Sequence, residues 1–244
     1  MSTTDPGIIC YQHCGPKVFT FTLPETCKAC NTNLDSNNCS VLPFRLPYPF
    51  VQASQHPCAV VLRPTNGDFL NDYSNHLNLH IGVTTSSAAI VEFDRNGLRR
   101  HGVSSKAMKT QWAQSLLVEK VPEAWTEHWD DVLQIICKEP VWTPQDYHED
   151  RHNCYTFVLR FLKALGFGEL SQLAENRTQF CEKFIVPRTT AAGKYISLYR
   201  KIRDGGYYIH PISTTTTTEM QTAANRATST TPASSSIFSV KRNF

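Results

Sequence analysis

Six of the nine cysteines lie within the first 58 residues, at positions 10, 14, 27, 30, 39 and 58. No other feature restricts the folding of this chain as strongly. A short segment rich in thiols and poor in helical periodicity cannot bury enough apolar surface, and needs crosslinks or a metal to hold it. The opening MSTTDPGIICYQHCGPK lacks the basic start and apolar centre of a secretory signal. An intracellular location, cytoplasmic or nuclear, is expected, where thiols stay reduced and structural disulfides are rare. Zinc then becomes the natural organiser. It takes four tetrahedral nitrogen or sulfur ligands, delivered as close pairs on tight turns. Cys27 and Cys30, in Cys27-Lys28-Ala29-Cys30, are one such pair. His13 and Cys14 are the expected second pair, with Cys10 or Cys39 as alternatives to His13. The alternating run KVFTFTL (17–23) fits the β-ribbon between them. Residues 8–42 therefore read as a small zinc-ribbon-like element with a structural zinc. Free thiols on a flexible arm are the competing reading, and a poorer one, because exposed thiols are a liability. Four protein ligands leave no open coordination position, so this zinc would serve folding or docking.

Pro43, Pro47, Pro49 and Pro57 make 43–58 an extended linker. From Ala59 the pattern turns strand-like: AVVLRP, then LNLHIGV (77–83) and AAIVEFD (88–94), with turn signals at Asn66-Gly67 and Asn96-Gly97. Helices follow. Pro122 opens one that Pro140 stops, with Trp125, Trp129, Val132, Leu133 and Ile136 on its core face. A second begins at Asn153, is almost wholly apolar and ends at Gly166. A third spans 170–184. A fourth starts at Pro187 and ends at Gly205-Gly206, and YYIHPI can return as a last strand. Strands first and helices later predict an α+β domain over 59–210, an antiparallel sheet packed with a helical half. From Ser213 onward Thr, Ser and Ala dominate, so 213–244 reads as a disordered tail. No internal repeat is present.

Composition excludes several classes. With 41% hydrophobic and 18% charged residues the chain is not disordered throughout. A net charge of +3 and the lack of an aromatic-basic stripe argue against a nucleic-acid partner. No apolar run approaches the roughly 20 residues of a transmembrane helix.

The sharpest chemical signal is Asp150-Arg151-His152-Asn153-Cys154-Tyr155, entering the apolar helix. A cysteine in the first turn sits in the positive end of the helix dipole, which favours the thiolate, and Asn153 can cap that turn. A thiol nucleophile needs an imidazole base held by a third polar group. His80 interrupts an apolar strand and is followed by Gly82, where another backbone can approach. A three-residue hairpin loop, Thr85–Ser87, would set Glu92 opposite His80 on one face; Asp94 is the alternative orienter. The order is His on a strand, carboxylate on the next, then Cys at a helix start. The chemistry would be attack on an acyl, thioester or isopeptide carbonyl, as hydrolase or acyltransferase, with no catalytic cofactor. Against it stands an inert buried Cys154 and a core His80. His152 is a rival base in sequence, but neighbours at i and i+2 on a helix point apart.

Two resemblances follow from these residues. His80-Ile81-Gly82-Val83 and Asn153-Cys154-Tyr155, in that order, resemble the site motifs of circularly permuted papain-like proteins, the lecithin:retinol acyltransferase-like group and permuted thiol peptidases. That implies a permuted papain-like fold for 59–210. A broader likeness runs through His13-Cys14 with the Cys27–Cys30 pair, LRPTNGDFL (62–70), Leu79–Val83, HNCYTFVLRF (152–161) and EKFIVPRTTAAGKYISLYRKIRDGGYY (182–208). In these segments the chain resembles the makorin opposite-strand family, a likeness that brings no site residues with it. The alternative function is a catalytically inactive papain-like module, docking an unknown protein partner through the zinc element and the basic fourth helix with Arg188, Lys194, Arg200, Lys201 and Arg203.

Overall fold

The computed structural model describes residues 5–35 and 38–211; the expected tail, 213–244, lies outside the described residues. Two compact units emerge, residues 47–204, and residues 5–35 and 38–46 with 205–211. The architecture is α+β, with two antiparallel sheets.

The larger unit is built on a five-stranded sheet in the order β7-β6-β5-β4-β8. Its strands are β4 (Ala59–Pro64), β5 (Leu79–Thr84), β6 (Ile90–Asp94), β7 (Gly97–His101) and β8 (Leu116–Lys120). β4 is a continuous apolar run, and Ala59 to Leu62 are fully buried, as a central strand covered on both faces requires. β4 and β5 pair from Val60↔Val83 to Pro64↔Leu79. β5 and β6 pair only at Val83↔Val91 and Thr84↔Ile90. The hairpin turn explains this register. Thr85 N–H donates to Ala89 O and Ala88 N–H to Thr85 O, with Ala88 at φ +56, so the loop lies one residue further on than the sequence suggested. Continued inward, this register sets Glu92 opposite Gly82, not opposite His80. His80 lies diagonal to Glu92, beyond the paired segment, on the same face.

The helical half is α1 (Lys106–Thr110), α2 (Thr126–Cys137), α3 (Cys154–Leu165), α4 (Gly168–Leu173), α5 (Arg177–Phe180) and α6 (Val186–Gly205). α3 is the central helix. Asn153 Oδ1 accepts from Tyr155 N–H and Thr156 N–H, while Thr156 Oγ1 accepts from Asn153 N–H, a reciprocal capping box. Gly166 ends it at φ +71. Phe157, Val158, Phe161 and Leu162 are fully buried as α3 packs on β5, β6, α2 and α4. Trp129 of α2 meets Phe161 edge-on at 4.7 Å and donates its indole N–H to Thr84 O at 2.9 Å, tying α2 to the sheet.

The expected third helix, 170–184, is divided into α4, α5 and a single wide turn at Cys181–Ile185. That turn runs straight into α6. Pro187 has no N–H to give the preceding turn, and the wider hydrogen-bonding ring accommodates it without a break. The basic residues of α6 are partly consumed inside the unit. Arg200 donates to the carbonyls of Leu70, Tyr73 and Phe69 at 2.7, 2.8 and 3.3 Å. Arg188 donates to Leu117 O at 3.0 Å and faces Glu119 at 3.5 Å.

In the smaller unit β1 (Ile9–Gln12), β2 (Lys17–Thr20), β3 (Val41–Arg45) and β9 (Tyr207–Ile209) form a sheet in the order β3-β1-β2-β9. β9 pairs with β2, Val18 opposite Ile209 and Thr20 opposite Tyr207, so the last strand joins the N-terminal sheet. The Pro-rich stretch 43–58 holds the end of β3 and a tight turn at Ala53–Gln55. Tyr11, Val18 and Cys27 form the core of this unit, with Ala29, Leu34 and Ile209 against it. No helix among the described residues is long and apolar enough to cross a membrane.

Candidate functional site

Cys154, His80 and Glu92 meet where β5 and β6 part. His80 Nε2 lies 2.7 Å from Glu92 Oε2, and the Cys154 thiol interacts with the same imidazole. Splitting of the strands leaves the Ile81 N–H out of the β5–β6 ladder, and the backbone amides of Ile81 and Tyr155 favour the Cys154 thiolate. Burial pushes the Cys154 thiol up, but His80 and these two amides outweigh it, and the net direction is down. Burial pushes His80 down, yet Cys154 and Glu92 together raise it to about 9. Burial likewise raises Glu92, while His80, Arg63 and His101 bring it down to about 2. These directions favour the thiolate of Cys154, the imidazolium of His80 and the carboxylate of Glu92.

Cys154 is 6% exposed, His80 5% and Glu92 not at all. The chain preceding α3 folds compactly. His148 and His152 exchange backbone hydrogen bonds at 2.8 and 3.0 Å, and Asn153 Nδ2 donates to Glu149 O. His152 stacks on Trp142 at 5.1 Å and lies 3.1 Å from Asp146 O, so its ring is committed elsewhere. Asp94 receives Asn96 N–H at 2.7 Å and Arg99 at 3.3 Å, away from His80. A shallow depression beside this segment is lined by Arg95, Pro144, Tyr147, His148, Glu149 and Asp150, and Tyr147 also feels the Cys154 charge.

Gly82 leaves the room that Trp112 needs. A Cβ there would stand 3.0 and 3.2 Å from Trp112 ring carbons and 3.1 Å from Ile90 Cδ1. Trp112 in turn flanks His80, ring centroids 5.9 Å apart. Gly82→Ala is expected to destabilise the unit by about 1–3 kcal/mol, the usual cost of overpacking, as a lower urea midpoint with an unchanged slope.

In the smaller unit the β1–β2 turn presents His13 and Cys14, and a knuckle closed by Cys27 N–H to Thr32 O and Asn31 N–H to Cys27 O presents Cys27 and Cys30. Their ligand atoms all lie within 4.8 Å of one another, and the four can hold a metal ion. Cys14 and Cys27 sulfurs are 3.8 Å apart, and Cys30 Sγ is 3.3 Å from His13 Nδ1. Cys10 is buried in β1, and Cys39 Sγ faces Asp35 O at 3.6 Å, so neither joins the cluster.

Two residues that reasoning from the sequence missed converge on Glu92. Arg63 Nη2 is 3.4 Å from Oε2, and His101 Nε2 is 3.1 Å from Oε1. Arg63 was legible as the one charge in the apolar run AVVLRP, and β4–β5 pairing sets it opposite His80.

The family described as DUF4796 C-terminal matches residues 43–202, and its N-terminal counterpart matches residues 6–34. The chain belongs to this family. It is 31% identical over 206 residues to the MKRN2 opposite strand protein of Homo sapiens, covering 83% of this chain and 89% of that one. Membership of the makorin opposite-strand family is thereby shown. No solved structure gives a significant match. The two family segments separate the two constellations. The N-terminal segment holds His13, Cys14, Cys27 and Cys30, and the C-terminal segment holds His80, Glu92 and Cys154.

Proposed function

We propose that the C-terminal family segment, in a permuted papain-like arrangement, carries a cysteine-dependent acyl-transfer site acting on an acyl, thioester or isopeptide carbonyl. The observation that carries this reading is His80 held between Cys154, at the capped start of α3, and Glu92. The Cys154 thiolate would attack the carbonyl carbon, and the oxyanion would be held by backbone N–H groups at the helix start. His80 would give its proton to the leaving amine, thiol or alcohol, and an acyl-thioester would remain on Sγ. Neutral His80 would then take a proton from water, or from an acceptor nucleophile, as that group attacks the thioester. Sγ leaves as thiolate, and the imidazolium is restored. Glu92 would orient the ring throughout.

The cluster in the N-terminal segment supports a structural zinc. A zinc–sulfur bond of about 2.3 Å puts tetrahedral sulfurs about 3.8 Å apart, and the Cys14–Cys27 separation fits.

Burial of Cys154 favours a second reading, a catalytically inactive interaction module. In that reading docking falls mainly to the metal element, because Arg188 and Arg200 of α6 already hold carbonyls of their own unit.

Carbonyl electrophiles separate the two. Acyl-thioester probes and ubiquitin-like C-terminal electrophiles should form a Cys154 adduct on the folded protein, read by intact and peptide mass spectrometry. Cys154→Ser should abolish the adduct and His80→Ala should slow it by about 10²–10⁴, the usual weight of an acid–base group. A folded protein that leaves every such probe untouched would favour the interaction module.

A further inference from the structure

Resting on that reading of Cys154 and His80, we infer that Arg63 is a positioning residue that balances the charge of the buried site and keeps Glu92 ionised through both protonation states of His80. Three anchors fix the side chain. Nη1 donates to Pro64 O at 3.1 Å and Thr65 O at 3.2 Å, the guanidinium carbon lies 5.0 Å over the Trp112 ring, and Nη2 reaches Glu92 Oε2 at 3.4 Å. That oxygen is the one His80 Nε2 touches at 2.7 Å. The side chain is only 11% exposed, and that of Glu92 1%.

Stability alone is a poor reason for this arrangement. Among the described residues, Glu92 Oε1 and His101 Nε2 face each other at 3.1 Å outside hydrogen-bond geometry, and Arg63 Nε and Trp112 Nε1 are buried with no hydrogen bond at all. Each such atom keeps its desolvation cost, and an apolar filling would remove it.

Charge counting gives the group a task. In the resting state of the proposed mechanism, thiolate, imidazolium and carboxylate carry one net negative charge in a region shielded from water. Arg63 brings the sum to zero. When His80 passes its proton to a leaving group, Arg63 still opposes Glu92, so the carboxylate has no cause to take a proton or turn away. The titratable and charged groups facing this set are Arg63 from β4, His101 from β7 and Cys154 from α3. Tyr155, and Tyr147 from the preceding loop, stand near the thiol.

The test uses Arg63→Gln, which keeps a polar side chain without the charge, alongside Arg63→Met and Arg63→Lys in the full chain. Two readouts are taken across pH, iodoacetamide alkylation at Cys154 and the His80 ring signals by nitrogen-15 NMR. Loss of one nearby positive charge should move both titrations upward, by about one unit for the thiol, or about tenfold less thiolate at a fixed pH below the midpoint. Arg63→Lys should restore most of the shift. A merely structural Arg63 would loosen the pair, moving the thiol up and the imidazole down. That pattern, or folded Gln and Lys variants with wild-type midpoints, would overturn the inference and leave the thiol site standing. A wild-type Cys154 that titrates like a free thiol would overturn both.

Discussion

With zinc on the His13–Cys14–Cys27–Cys30 cluster, as proposed, a chelator or the substitution Cys27→Ser is expected to unfold residues 5–35 and 38–46 while the 47–204 unit stays folded. The fully buried residues of the small unit are Ile8, Tyr11, Val18 and Cys27, the last three packed as one cluster. That core is far too small to offset the ordering of some forty residues, at about 1–2 kcal/mol each for the backbone alone. Zinc binding to a four-ligand site contributes on the order of 10–16 kcal/mol at neutral pH in small finger domains. On the proposed zinc reading, the metal decides whether this sheet exists. Hydrogen exchange should show amide protection lost from β1 and β2, and from β9, which pairs with β2. The amides of β4 and α3 should keep theirs. Cys39→Ser, outside the cluster, should leave the pattern unchanged. Retained protection in β1 and β2 after chelation would show that the sheet stands without metal.

Glu92→Ala should be the most damaging single substitution in the larger unit. It leaves Arg63 and His80 buried with their shared anion gone, a loss of about 3–5 kcal/mol by analogy with broken buried pairs. The pH dependence carries a sharper signature. Glu92 is held at about 2 against an ordinary 4.5, so its stabilisation is complete above 4.5 and is lost as pH falls toward 2. His80 is raised to about 9 from 6.5, so its contribution is complete below 6.5 and is lost as pH rises toward 9. Wild-type stability should peak between these windows, and Glu92→Ala should flatten both flanks. Urea melts at about pH 3, 5.5 and 8.5 measure this. Parallel curves for the two proteins would mean that Glu92 is not the charge holding His80.

Much of the frame was legible because local chemistry and tertiary packing agree. The α3 boundaries follow from Asn153 and Gly166, and its burial from an apolar run with one charged side. The approach of His80 to Glu92 was legible in outline, but its register was not. A positive φ at Ala88 carries no sequence signature, and it moved Glu92 from opposite His80 to a diagonal position. The division of 170–184 escaped for a similar reason, because Pro187 reads as a helix start while the wide turn before it lets one helix run through. β9 was visible as a strand, but its partner, β2, lies some 190 residues back in sequence, and alternation says nothing about partners. His101 joined the site through the sheet and Trp112 by packing against Gly82 and His80, and neither stands near Cys154 or His80 in the chain.

Alkylation across pH reads directly whether Cys154 is an activated thiol. Iodoacetamide labelling of Cys154, followed by mass spectrometry in wild type and His80→Ala, should give a midpoint well below the free-thiol value of about 8.5 in wild type. In the variant the midpoint should rise to that value or above, because burial then acts unopposed. A Cys154 that reacts only when the protein unfolds, in both proteins alike, would contradict the account and make it a core residue of α3.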